Sequence, residues 1–109
     1  MKRILLILMA IVGLTISANA ISFRSKQFLC NGNERIIFYT NGTYELYNGS
    51  QLKWSGEYTI ITDESAIRMV VGRDVLRMKA GISNGAQKCT YVDFIDPYTG
   101  ESTRYRPCK

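Results

Sequence analysis

The apolar residues of this chain recur in short runs that alternate with polar residues, and turn signals separate these runs at close intervals. No window carries apolar residues at the i, i+3, i+4 and i+7 positions of an amphipathic helix. The runs are rich in β-branched and aromatic residues, which favour strands. They cover residues 35–40, 43–47, 52–54, 56–61, 66–71, 75–81, 88–95 and 102–106. The pattern predicts an all-β domain of about seven to eight antiparallel strands.

Sequential strands joined by tight turns favour an up-and-down meander, either curled into a small barrel or folded as a sandwich. Asn41-Gly42 predicts a two-residue type I′ turn that sets Tyr39 opposite Tyr44. One set of alternating apolar residues is expected on the inward face: Phe38 or Ile37, Tyr44, Leu46, Tyr58, Ile60, Ile67, Met69, Leu76, Met78, Val92 and Phe94.

The start of the chain has a different composition. Residues 1–3 form a positive n-region, residues 4–14 an apolar h-region and residues 18–20 an A-x-A cleavage site. We predict a signal peptide over residues 1–20, with cleavage at its end, and a single β domain over residues 21–109. Eleven apolar residues are too few to cross a hydrocarbon core of about 30 Å, so we expect no membrane span after cleavage. The predicted location is secreted or periplasmic.

Charge and composition exclude several classes of catalytic and metal-binding function. The chain has 14 Lys and Arg against 9 Asp and Glu, and loss of Lys2 and Arg3 with the leader leaves 12 against 9, a net charge of +3. Because there is no histidine, imidazole bases, Ser-His and Cys-His pairs and His-based zinc sites are excluded. No phosphate-binding glycine loop or dinucleotide fingerprint is present. We therefore expect no catalysis, cofactor, metal or nucleic-acid partner.

All three cysteines follow the leader, and disulfides persist outside the cytoplasm. If residues 97–100 form a four-residue loop, the resulting register sets Cys89 opposite Cys108. We predict that bridge, which the chain-entropy relation values at about 3 kcal/mol. A Cys30–Cys108 bridge, at about 4.5 kcal/mol, is the alternative if the first and last strands of a barrel meet. Burial is the expected fate of the remaining thiol.

A cationic face is also predicted. A two-residue turn at residues 72–73 sets Arg68 directly opposite Arg77 on the polar face. Like charges so placed destabilise a sheet by about a few tenths of a kcal/mol or more. If Tyr105 points inward, cations of the last strand share this face, and the predicted binding residues are Arg68, Arg77, Lys79, Arg104 and Arg106. Either Glu57 neutralises the arginine pair, or the face binds an acidic protein or an anionic envelope component.

Two aromatic residues complete the predicted binding set. Tyr47 and Trp54 lie on either side of the Asn48-Gly49 loop, and loops on a rigid scaffold often carry recognition residues. The expected function is that of an exported, non-catalytic binding module. Its ligand or partner and its oligomeric state stay open.

Three segments resemble the recurrent pattern of small secreted bacterial lipocalin-like β-barrels: FYTNGTY at residues 38–44, GEYTI at 56–60 and AIRM at 66–69. This resemblance implies an antiparallel barrel, no shared catalytic residue and small-molecule binding as an alternative function. With 89 residues after the leader, we expect side chains to fill the interior. A second resemblance, to periplasmic lysozyme inhibitors, is carried by the early and late cysteines and a Ser55-Gly56-x-Tyr58 element, and implies Ser55 and Tyr58 as contact residues.

Overall fold

The computed structural model describes residues 21–61, 64–83 and 87–109. These residues form eight antiparallel strands that close into a barrel in sequence order. The strands are β1 (Gln27–Asn31), β2 (Glu34–Phe38), β3 (Thr43–Asn48), β4 (Gln51–Ile61), β5 (Ala66–Val71), β6 (Asp74–Ser83), β7 (Lys88–Ile95) and β8 (Ser102–Pro107). The predicted all-β meander is confirmed, as a barrel. The predicted signal peptide lies outside the described residues, as does part of each predicted turn at residues 62–65 and 83–85.

The first strand, which the sequence pattern did not predict, closes the barrel. β1 pairs along its whole length with β2, and pairs with β8 through Leu29 opposite Pro107 and Cys30 opposite Arg106. Leu29 is fully buried. Because β1 is held on both sides, neither end of the meander is left as an open sheet edge.

A disulfide between Cys30 and Cys108 joins these closing strands, with the two Cα atoms 5.0 Å apart. The predicted Cys89–Cys108 pairing is therefore wrong, and the alternative pairing is confirmed. The loop on which the prediction rested does form as expected, since Asp96 N–H donates to Glu101 O at 2.9 Å. The prediction fails nearer the start of β7, where the Cys89 side chain does not point toward Cys108.

A β-bulge in β7 accounts for that failure. Tyr91 lies opposite Gly81 and Cys89 lies opposite Ile82, so Thr90 is an extra residue between two consecutive partners on β6. An extra residue reverses the side-chain alternation beyond it, and Cys89 consequently points into the barrel with 2% exposure. Burial raises the pKa of this free thiol to about 12, which suppresses the reactive thiolate.

The first hairpin also differs from its predicted register. Phe38 lies opposite Tyr44, and Tyr39 N–H donates to Thr43 O at 2.8 Å. Tyr39 therefore faces Thr43 rather than Tyr44, and residues 40–42 form a three-residue loop. Gly42 N–H donates to Tyr39 O at 3.3 Å, and Gly42 has a φ of +88°. A type I turn followed by a left-handed glycine is the usual three-residue hairpin loop.

Large side chains fill the barrel interior. The predicted inward residues are buried apart from Leu76, which is half-buried, and Phe38 rather than Ile37 belongs to the central cluster. The largest side chains below 2% exposure are Tyr44, Tyr105, Phe23, Phe38, Leu29, Ile36, Leu46, Ile67, Met69, Met78, Val71 and Val92. Burial of this apolar surface is the main favourable term in folding.

Residues 21–26, called here the N-terminal strap, cross one end of the barrel. Phe23 is 1% exposed, and its ring centroid lies 5.5 Å from that of Phe38 and 5.7 Å from that of Tyr58. Phe23 N–H donates to Tyr58 Oη at 2.9 Å, and Ile60 N–H donates to Ile21 O at 2.8 Å. The strap thus closes this end with an aromatic side chain and fixes its own backbone to β4.

Loss of the closing disulfide is expected to destabilise the fold. Cys30→Ser releases a link across 78 residues, and we expect the free energy of unfolding to fall by about 4.5 kcal/mol. Chemical denaturation measures this change, and peptide mapping without reduction should recover Cys30 joined to Cys108. Cys89→Ala is the control, since it keeps the bridge and should cost only about 1 kcal/mol. Recovery of Cys89 within a bridge would contradict the pairing.

Removal of the aromatic plug is a second stability test. Phe23→Ala should lower the free energy of unfolding by about 3–5 kcal/mol, because it leaves a cavity between Phe38 and Tyr58. Arg24→Ala, on the exposed neighbouring position, should change it by less than about 0.5 kcal/mol. Equal effects of the two variants in urea denaturation would show that the strap does not close the core.

Candidate binding surface

The arginine pair lies where the sequence predicts it. Arg68 on β5 is directly opposite Arg77 on β6, and both side chains are exposed. The acidic partner is not Glu57, as one alternative expected, but Glu64, whose Oε1 lies 3.2 Å from Arg77 Nη1. Since those two side chains are 63% and 48% exposed, the ion pair contributes no more than about 1 kcal/mol.

A second cross-strand row continues the charge across β6, β7 and β8. Lys79 lies opposite Asp93, and Asp93 lies opposite Arg104. Arg104 makes a bidentate contact with Asp93, through Nε at 2.6 Å and Nη2 at 2.9 Å. Its guanidinium carbon also lies 4.1 Å from the ring centroid of Tyr91. This geometry fixes Arg104 in place and neutralises much of its charge.

The Arg104 contact sets the titration of Asp93. The hydrogen bond from Arg104 lowers the pKa of Asp93 below its ordinary value of 3.8, and the charges of Arg104, Lys79 and Arg106 act in the same direction. The carboxylate therefore stays charged through the physiological range. In the cross-strand row of Lys79, Asp93 and Arg104, this acid lies between two cations.

Arg106 lies at the closure of the barrel. It points outward as predicted, because Tyr105 between Arg104 and Arg106 is buried. Arg106 is opposite Cys30, which is opposite Arg35 on β2. Sequence reasoning missed Arg35 as a neighbour, because β1 was not predicted and the closure that brings β2 close to β8 could not be foreseen. We call Arg68, Arg77, Lys79, Arg104 and Arg106 the cationic face.

The two predicted aromatic residues do not join the cationic face. Tyr47 is half-buried on the outer side of β3. Its ring centroid lies 5.2 Å from the guanidinium carbon of Arg35, and its hydroxyl donates to Glu45 Oε1 at 3.0 Å. Trp54 packs against the core and stacks on Tyr98, with ring centroids 5.7 Å apart. Its buried Nε1 has no hydrogen-bond partner among the described residues. Trp54 is therefore partly buried, with one face of its ring against Tyr98, and its predicted role in binding stays a prediction.

The residues implied by the lysozyme-inhibitor resemblance are separated. Ser55 is exposed on the outer face of β4. Tyr58 is 3% exposed and donates to Tyr39 O at 2.7 Å. A side chain so placed serves the core, so Tyr58 is not presented to a partner.

A small cleft lies near the loop between β7 and β8. Its volume is about 80 Å³, and its polar lining includes Glu34, Lys53, Asp96 and Tyr105. Burial raises the pKa of Glu34, but the hydrogen bond from Tyr105 and the Lys53 Nζ contact at 3.1 Å outweigh it, so the net pKa lies below 4.5. The cleft is far smaller than the roughly 300–1,000 Å³ of ordinary ligand pockets.

In the described parts of the chain, no cluster of three acidic or cysteine side chains is arranged to hold a metal ion. Within those same ranges, no helix has the length and apolarity needed to cross a membrane. Comparisons with family models, curated proteins and solved structures found no match to this chain. The lipocalin-like and lysozyme-inhibitor resemblances therefore stay predictions.

The Asp93–Arg104 contact predicts a measurable pH effect. A carboxyl whose pKa is lowered by folding stabilises the native state above its unfolded pKa, and that contribution is lost as pH falls through the folded pKa. Arg104→Gln should raise the pKa of Asp93 toward 3.8 and reduce the loss of stability below about pH 4. Carboxyl NMR titration measures the change. Arg106→Gln, which removes only a nearby charge, should move this pKa less, and an unchanged pKa in Arg104→Gln would contradict the assignment.

Proposed function

We propose that this protein is an exported, non-catalytic binding module whose cationic face recognises an acidic protein or an anionic envelope polymer. The observation that carries the proposal is the Arg68–Arg77 pair, which sets two exposed cations directly opposite one another on adjacent strands. An anion that contacts both side chains would relieve their mutual repulsion. The same contact would gain binding energy from each arginine.

The rest of the face supports the same partner chemistry. Lys79 on β6 and Arg106 on β8 are further exposed cations on the outside of the barrel. Asp93 offsets one positive charge and holds Arg104 rigidly, so the face keeps an excess of cations with part of its geometry fixed. The Arg104 side chain, held in this way, loses little conformational entropy when it binds.

Export rests on the leader and gains support from the cysteines. The tripartite pattern of residues 1–20 is typical of a secretory signal peptide. The Cys30–Cys108 disulfide is compatible with an extracellular or periplasmic protein, because such bonds persist in oxidising compartments. An anionic glycan or an acidic exported protein is the partner class available there.

The alternative functions have weaker support. A lipocalin-like carrier needs an open interior, whereas large aromatic side chains fill this barrel. A lysozyme-inhibitor-like role draws on Tyr58, which is buried. The outer surface is therefore the better place to look for recognition.

The decisive test replaces Arg68 and Arg77 together with Gln. Binding to polyglutamate or to polygalacturonate, measured by isothermal titration calorimetry at low salt, should weaken at least about tenfold, since two charge contacts are lost. The free energy of unfolding should change by less than about 1 kcal/mol, because loss of the weak Arg77–Glu64 pair offsets relief of the repulsion. Wild-type affinity should also fall between 0.05 and about 1 M salt as screening increases.

The matched control is Arg73→Gln combined with Lys109→Gln, at two exposed positions. It removes the same total charge from residues outside the cationic face, so it should retain most of the affinity. Equal weakening in both double variants would indicate a general charge effect rather than a recognition face. Unaltered binding in Arg68→Gln/Arg77→Gln at low salt would remove this face from consideration.

A further inference from the structure

A groove between the N-terminal strap and the start of β7 has features that the proposed function does not use. The strap is fixed at one side of it by Phe23, which is buried in the end of the barrel. The groove begins directly after that anchor. Its volume is about 590 Å³, and its lining consists of Arg24, Ser25, Lys26, Gln27, Gln87 and Lys88.

Gln27 fixes the floor of this groove. Its Nε2 donates to Gln87 O at 3.1 Å and to Ser25 O at 2.9 Å, and its Oε1 accepts from Cys89 N–H at 3.0 Å. One carboxamide thus ties the strap to the turn before β7 and to β7 itself. The relative positions of the two walls are therefore set before any ligand arrives.

The charges that line the groove all have one sign. Arg24, Lys26 and Lys88 are exposed cations, and no carboxylate is among the six lining residues. Lys26 Nζ lies at the edge of the groove, 5.7 Å from the ring centroid of Phe28 and 5.3 Å from that of Tyr39, two residues outside the lining. Three like charges around one concavity focus a positive potential into it.

We propose that this groove binds a small ligand that carries a phosphate group. The volume falls within the roughly 300–1,000 Å³ range of small-molecule sites. A phosphate monoester brings a charge of about −1.5 to −2 and three acceptor oxygens, which matches three cations better than a single carboxylate does. Arg24 supplies a planar donor fork, and the two lysines supply point charges.

The polar residues between the cations add donors. Ser25 Oγ accepts from Gln27 Nε2 at 3.2 Å, so its own hydroxyl proton can turn toward an oxyanion. The ligand therefore meets charged and neutral donors on one wall. A neutral ligand of the same size would leave the repulsion among the cations unrelieved.

This site is independent of the cationic face. The two share no residue, and the groove takes a small phosphate-bearing molecule whereas the face is proposed for a macromolecule. A phosphate group could reach the groove as a soluble ester or as the headgroup of an anionic lipid, and both sources present the same chemistry. The experiment separates them.

Two probes are used with the full chain after leader removal: inorganic pyrophosphate in calorimetry, and phosphatidylglycerol vesicles in co-sedimentation, with phosphatidylcholine vesicles as the neutral reference. Wild-type protein should bind at least one anionic probe. Arg24→Gln, Lys26→Gln and Lys88→Gln should each weaken binding by about threefold to fivefold at 0.05 M salt, and the triple variant by at least about tenfold. Backbone amide shifts on titration should concentrate at residues 24–27 and 87–88.

Lys88→Arg keeps the charge and should bind like wild type, and Arg73→Gln removes one exposed cation elsewhere and should have little effect. Binding of pyrophosphate that the triple variant loses supports the soluble source. Binding to phosphatidylglycerol vesicles alone, again lost in the triple variant, supports the headgroup source. Failure with both probes, or equal affinity in the triple variant, overturns the groove. Because Arg68→Gln/Arg77→Gln leaves the groove intact, that variant should bind these probes normally, so failure of the groove and failure of the cationic face are distinguishable.

Discussion

The packing of the barrel interior depends on closure of the sheet between β1 and β8. The two strands share only two paired positions, Leu29 with Pro107 and Cys30 with Arg106. The Cys30–Cys108 disulfide lies at this short contact, where few backbone hydrogen bonds are available to hold the sheet closed. Once the barrel is closed its radius is fixed, and the large aromatic side chains of a short chain occupy the space that a longer lipocalin-like barrel would leave open.

Two bulges then decide which side chains face the core. Thr90 in β7 turns Cys89 inward, and Lys53 in β4 is the extra residue beyond which Leu52 points outward with 50% exposure, while Trp54 keeps the inward side of Tyr58. Gly81 has no side chain where a Cβ would lie 2.2 Å from Thr90 Oγ1. Each bulge thus exchanges the inner and outer positions of the residues beyond it.

These local events explain how far the sequence could predict the molecule. The Arg68–Arg77 register was predictable, because a two-residue turn and an unbroken apolar alternation fix it without reference to the rest of the fold. The absence of a Cys89–Cys108 bridge was not predictable, because an inserted residue in mid-strand leaves no alternation signal of its own. Gly81, on the strand opposite the insertion, is the one sequence feature that is typical of a bulge. β1 was missed since Phe28 is exposed and only Leu29 is fully buried, which gives too short an apolar pattern. Arg35 and the groove at the strap depend on closure and so could not be assigned from the sequence.

A filled interior leaves recognition to the outer surface and the barrel ends, and the two proposed sites use these in different ways. On the sheet, the strand register sets Arg68 opposite Arg77, and Asp93 fixes Arg104 while it offsets one charge. At the strap, the buried side chain of Phe23 fixes the backbone, and this places Arg24 and Lys26, which follow it in the sequence. In both places the fold sets where the cations lie along the backbone. The clearest case is Arg104, which Asp93 and the Tyr91 ring hold in place, so the entropy of ordering this side chain is lost during folding and not again on binding.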